Sequence, residues 1–163
     1  MTKQVNVKIL IDDEGDDSSN LDMLESIEYR IKEILPDSKL IFKHYVISFD
    51  RLIDYKGFFQ AGADVYVLDV GGLTLGLSNW SYVKSIIRLL PRLIEDLPSA
   101  VFLLWSRFTE NIYFDEVNDE FPELVEAPNV LNAADRYKLA DEDNWAYKLR
   151  CMFGFPTIEK SGH

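Results

Sequence analysis

Lys8-Ile9-Leu10-Ile11-Asp12-Asp13-Glu14 and Val65-Tyr66-Val67-Leu68-Asp69-Val70-Gly71 decide how this chain is read. Each is a short apolar run that halts on carboxylates, the pattern of a buried strand giving way to a loop. Where such strands lie parallel in an open α/β sheet, ligands bind beyond their carboxyl ends. Asp12, Asp13 and Asp69 gathered there would form an oxygen-rich site suited to a hard cation.

Working outward from these runs, strand-like and helix-like stretches alternate about five times, the order expected of a βα-repeating sheet. Residues 5–11 read as the first strand. Leu21, Leu24, Ile27, Ile31 and Ile34 then recur at helical steps, with Ser18 or Ser19 as cap and Pro36 as stop. Residues 40–47 read as a second strand, followed by a short helix from Phe49 that ends near Gly57 or Gly62. After the third strand, 65–68, come Gly71, Gly72 and Gly76 and a helix capped by Asn79, which Pro91 should kink or break. Residues 99–105 give the fourth strand and 129–133 a short fifth. Trp145, Leu149, Met152 and Phe153 mark the inner stripe of a last helix. The expected fold is a flavodoxin-like, doubly wound parallel sheet of five strands in the order 2-1-3-4-5, with right-handed crossovers. That order sets the ends of strands one and three side by side. Residues 1–155 make a single domain and 156–163 a tail.

Composition narrows the function. The chain has 163 residues, 47% of them hydrophobic and 13% aromatic, enough for one core. No apolar window approaches the roughly 20 residues that cross a bilayer, and the N-terminus lacks a signal peptide's layout, so a cytoplasmic location is expected. Cys151 is the only cysteine and His44 and His163 the only histidines, so a Cys/His zinc site is excluded by count. A net charge of −11 argues against direct nucleic-acid binding, which draws its affinity from Lys and Arg. His44, within the second strand, is expected to be structural and Cys151 to pack in the core.

Three carboxylates in one cleft resist simultaneous ionisation unless a cation joins them. Mg²⁺ keeps several waters and takes one or two protein carboxylates plus phosphate oxygens, chemistry that would support phosphoryl transfer to Asp69. The plainer alternative is that residues 12–17 form a solvated acidic loop.

Residues 8–14 and 64–70 resemble the receiver domains of bacterial two-component response regulators. The resemblance covers most of the chain by order of elements. It implies that Asp12 and Asp13 hold the metal, that Asp69 accepts a phosphoryl group from a histidine kinase, and that Gly71 lends a backbone carbonyl to the metal. Ser106, after Phe102-Leu103-Leu104-Trp105, matches the hydroxyl that turns inward on phosphorylation. Besides Trp105, a longer helix between strands three and four and the acidic segment after Arg107, two departures from the family touch the chemistry. Asn129-Val130-Leu131-Asn132-Ala133-Ala134 has no Lys where receivers carry one, and Arg107 follows Ser106 where the family favours a small residue. Arg107 could crowd the site or replace the missing Lys as a phosphate fork.

Other likenesses are local. Asp69-Val70-Gly71-Gly72-Leu73-Thr74 resembles the phosphate loop of sugar kinases and actin-like ATPases, whose fold needs two lobes and a far longer chain. Haloacid-dehalogenase-type phosphatases need a second Asp where Gly71 stands. Residues 110–126 are strongly acidic and contain no Lys or Arg. Phe114, Val117, Phe121 and Leu124 run through them at helical steps, a stripe that calls for a partner or a second copy if exposed. The leading expectation is a stand-alone receiver-like regulatory domain working through a protein partner, a histidine kinase or a downstream regulator, with a homodimer also open. The alternatives are an acidic pseudo-receiver that binds without phosphorylation, and a Mg²⁺-dependent phosphohydrolase or phosphotransferase with Asp69 as nucleophile.

Overall fold

A computed structural model describes residues 3–12, 17–47, 62–69, 95–105, 127–132 and 139–153. In chain order they form β1 (Lys3–Asp12), α1 (Asp17–Ile34), β2 (Ser38–Ile47), β3 (Val65–Asp69), β4 (Val101–Trp105), β5 (Val130–Asn132) and α2 (Leu139–Met152). The strands make one sheet in the order β2-β1-β3-β4-β5, with every pairing parallel. This is the flavodoxin-like order expected from the sequence. The short helix from Phe49, the helix capped by Asn79, the acidic stretch 110–126 and the tail 156–163 lie outside the described residues.

β1 is an inner strand, flanked by β2 and β3. It pairs with β2 along its whole length, from Lys3↔Ser38 to Asp12↔Ile47, but with β3 only from Val7↔Val65 to Leu10↔Leu68. Successive strand residues point to opposite faces. Val5, Val7, Ile9 and Ile11 therefore share one face with Val65, Val67, Val101, Leu103, Trp105 and Leu131, and both α1 and α2 pack on it. Leu10, Tyr66, Leu68, Phe102 and Leu104 lie on the opposite face and are buried as well. Burial on both faces explains why the strands read as continuous apolar runs rather than alternating ones.

The buried stripe of α1 is Asn20, Met23, Leu24, Ile27, Ile31 and Ile34. Leu21, expected on this stripe, is 54% exposed. Six residues at about 100° each put it some 120° around the helix from Ile27, whereas Asn20, seven residues away, falls almost in line. The helix begins at Asp17, so Ser18 and Ser19 sit in its first turn rather than before it. It ends at Ile34 ahead of a turn at residues 36–37, where Pro36 was expected to stop it.

In α2, Trp145 and Leu149 are buried as expected, and so is Phe153 just beyond its end. Met152 is not: it is 38% exposed, because Phe153 takes the inward position at the helix end, with the Lys3 ammonium 5.4 Å from its ring centre. Cys151 is exposed, which corrects the expected core role. It lies two residues from Leu149, about 200° around the helix and so on the outer side.

The amino ends of the strands are stitched by two polar side chains. Asp64 accepts the Asn6 N–H at 2.8 Å through its carboxylate, and its backbone bonds both Asn6 and Val101. Asn129 donates to the Ala100 carbonyl at 3.0 Å. These bonds fix the register from below, and with it the relative heights of the strand tops.

Candidate functional site at the carboxyl end of the sheet

Asp12 and Asp69 are the last residues of β1 and β3, adjacent parallel strands. The final matched pair between those strands is Leu10↔Leu68. Asp12 stands two positions beyond it and Asp69 one. With neighbouring strands about 4.8 Å apart and about 3.3 Å per residue, their backbones come within about 6 Å of each other. The sheet order therefore sets the backbones of Asp12 and Asp69 at the same end of neighbouring strands. Asp13, Gly71, Ser106 and Arg107 lie outside the described residues, while Trp105, which precedes Ser106, ends β4 as the register partner of Asp69. β5 ends on Asn132 and carries no Lys.

Among the described residues no group of three or more His, Cys, Asp and Glu could hold a metal ion. The donors that the described residues bring to this end, by their backbones alone, are Asp12 and Asp69. Their chemistry fits Mg²⁺, which needs only one or two protein carboxylates when phosphate supplies further oxygens.

Four residues before Asp12 on β1 lies a residue whose burial the apolar reading of the strand did not anticipate. Lys8 is only 3% exposed, in register between Lys43 of β2 and Tyr66 of β3. Its ammonium lies 5.8 Å from the ring centre of Tyr45, a cation–π distance. Burial, and secondarily the positive charge of Lys43, lowers its pKa from the ordinary 10.5. A lysine inside an apolar run on a strand flanked on both sides was the available signal. Tyr66, across the strand, stacks on Phe102 with ring centres 5.5 Å apart, and its hydroxyl accepts the Ala63 N–H at 3.1 Å. Burial raises its pKa, the Ala63 bond partly opposes the rise and the charge of Asp64 adds to it.

On the helical face the strand tops are closed by aromatics. Trp105 meets Trp145 of α2 edge-on, with ring centres 6.0 Å apart at 83°. The Arg30 guanidinium of α1 lies 5.6 Å from the centre of the Trp145 ring. The His44 ring nitrogen Nε2 contacts the Glu28 carboxylate of α1, which also lies 3.9 Å from Lys32, so His44 ties the outer strand to the helix above it. Trp80 lies outside the described residues.

Comparison with family models finds no match, and comparisons with curated proteins and with solved structures likewise find none. Among the described residues no helix is long and apolar enough to cross a membrane.

Proposed function

We propose that the chain is a receiver-like regulatory domain that acts by binding a protein partner and is controlled by Mg²⁺-dependent phosphorylation of Asp69. The observation that carries this reading is the placement of Asp12 and Asp69 at the same end of adjacent parallel strands, in a sheet of order 2-1-3-4-5. In it, Asp12 and Asp13 hold the ion, with the Gly71 carbonyl as a further ligand. A carboxylate oxygen of Asp69 attacks the donor's phosphorus, a new P–O bond forms, and the bond to the leaving group breaks with its electron pair departing on the donor. Bound Mg²⁺ supplies charge neutralisation for the incoming phosphoryl oxygens. Ser106 is the hydroxyl beside the phosphoryl group, and Arg107 its cationic partner in place of the missing Lys. The cytoplasm is the expected setting for such signalling, with a histidine kinase as donor or a downstream regulator as partner.

The test is intact mass after incubation with Mg²⁺ and acetyl phosphate, beside an Asp69→Asn control. One phosphoryl adduct in the parent and none in the control is the expected result. An unmodified parent that also fails to bind Mg²⁺ by titration would replace this reading with the phosphorylation-independent acidic module. Multiple turnovers of a phosphate ester, lost in Asp69→Asn, would replace it with the phosphohydrolase.

A further inference from the structure

β2 is the outermost strand of the sheet, and among the described residues nothing pairs with its far edge. It is ten residues long and keeps step with β1 from Lys3↔Ser38 to Asp12↔Ile47, so no bulge interrupts it. Ser38–Ile47 contains neither Pro nor Gly. The opposite edge strand, β5, has only three residues. Native proteins blunt sheet edges by shortening, bulges, Pro or charge, and of these devices β2 keeps only charge. About half of its N–H and C=O groups point away from β1, where an added strand could bond them.

The charge on this edge has one sign. Residues 38–47 hold Lys39, Lys43 and His44 and no Asp or Glu, in a chain of net charge −11. His44 contacts Glu28 of α1 on the helical face. Lys39 and Lys43 lie on the other face with Ile41 between them, because side chains alternate along a strand. Both are exposed, and among the described residues neither has an anionic partner. β1 adds Lys8 in register beside Lys43. On the helical face Leu40 and Phe42 are half-buried and Val46 is 38% exposed, which leaves apolar surface along the same edge.

A strand laid along β2 brings a side chain within about 5 Å of each of these, where opposite charges are favourable and like charges are not. A second copy of the chain fails that condition. Symmetric antiparallel pairing about Ile41 or Lys43 sets lysine opposite lysine, and pairing about Phe42 sets Lys43 diagonal to both lysines of the other copy. An acidic strand meets it.

We propose that the outer edge of β2 is a docking site for an extended acidic segment of a protein partner, which adds as a sixth strand and sets carboxylates opposite Lys39 and Lys43 and an apolar residue opposite Ile41. The recognised pattern is acid-x-apolar-x-acid, which reads alike in both directions, and main-chain bonds supply the rest of the affinity. This rests on the protein-binding part of the reading above and not on the chemistry at Asp69.

The probe is a fluorescein-labelled peptide, Thr-Val-Glu-Thr-Val-Thr-Glu-Val-Thr, titrated with the full chain by anisotropy beside a twin carrying Lys for both Glu. The acidic peptide should bind, and the twin about tenfold more weakly or worse, since two cross-strand pairs turn from attraction to repulsion. Lys39→Glu/Lys43→Glu should invert that preference, and because both side chains are exposed the fold tolerates the change. Amide exchange read by mass spectrometry should slow in residues 38–47 on binding, at about half of the amides. No binding of the acidic peptide at about 1 mM, equal binding of the twins, or protection only elsewhere in the chain overturns the proposal. So does a dimer of the parent whose protection at 38–47 falls on dilution, which gives the edge to a second copy. Asp69→Asn should bind the peptide as the parent does. A missing phosphoryl adduct with binding retained removes only the chemistry at Asp69, and an adduct without binding removes only the docking edge.

Discussion

The guanidinium of Arg150 in α2 donates a 2.6 Å hydrogen bond to the carbonyl of Ile34, the last residue of α1. That carbonyl is one of the four that an α-helix leaves without an internal partner, and the cation also meets the negative end of the helix dipole. One helix is thereby closed by a side chain of the other, 116 residues away in sequence.

Replacing Arg150 by Met keeps most of the stem and removes both effects. Hydrogen bonds to charged groups contribute about 1.5–3 kcal/mol, so the urea midpoint of Arg150→Met should fall by a corresponding amount with the m-value unchanged. Arg150→Lys should recover part of the loss, since it restores the charge without the planar fork. Equal midpoints for the parent and the Met variant would show that water caps the helix as well as Arg150 does.

Asp64 is an acid with a structural task at the opposite end of the sheet from Asp12 and Asp69. Its carboxylate accepts the Asn6 N–H at 2.8 Å, and Asp64→Ala should destabilise the fold by about 1–2 kcal/mol by leaving that donor unmet. Asp64→Asn keeps an acceptor oxygen and should cost less. Thermal or urea unfolding of the two variants side by side settles the order, and a larger loss for Asn than for Ala would contradict it.

Gly62 enters β3 with φ of 62°, and no heavy atom lies within 4 Å of where a Cβ would sit. Any penalty for Gly62→Ala therefore comes from the backbone alone, about 1–2 kcal/mol for an L-residue held in the left-handed region. Gly62→Asn should be milder, because Asn tolerates that region best among residues with a side chain. Urea midpoints that rank Gly, Asn, Ala in falling order are expected, and an Ala variant as stable as the parent would mean that the turn readjusts.

Lys8 gives stability a pH dependence whose sign is fixed. Its folded pKa is lowered from 10.5, chiefly by burial. Between that lowered value and 10.5 the unfolded chain binds more protons than the folded one, so the Lys8 contribution to stability rises with pH. Tyr66 acts oppositely above pH 10.0, because burial raises its pKa and the unfolded chain ionises first. Comparison with Lys8→Met cancels the tyrosine, which both proteins share. Relative to that variant the parent should gain stability as pH climbs towards 10.5, and a difference that stays flat would mean that Lys8 is solvated when charged.

The sequence made the strands legible because both sheet faces are covered: residues 9–11, 65–68 and 101–105 could be apolar without interruption, and runs of that kind need no partner to be seen. Alternation of strands and helices and crossover handedness did not by themselves fix the strand order, because other doubly wound sheets meet both; 2-1-3-4-5 is the flavodoxin-like choice among them, and the sheet has it. The ends were harder. β1 begins at Lys3 rather than Val5 because its first residues pair with β2 alone, where Ser38 and Lys39 oppose Lys3 and Gln4 in a polar stretch that hydropathy does not mark. Leu21 is three residues from Leu24, a helical step, but small angular errors add along a stripe, and a leucine about 120° from its centre is an exposed leucine; Cys151 faces outward for the same angular reason. Asp12 and Asp69 were found because acids stand out at the end of an apolar run. The Asp69↔Trp105 register was not visible, because it depends on how far each ladder runs and not on what either residue is.

β1 is an inner strand of the sheet, and its two edges are filled at different times. Residues up to Ile47 suffice to bring β2 to the first edge, but the second stays open until β3, ending at Asp69, has been made. An apolar strand with a free edge is the kind of surface on which unfinished chains adhere to one another. Lys8 stands in the middle of that strand, and its charge, a burden once the sheet is complete, would act in the half-made protein as a gatekeeper against pairing with the wrong chain.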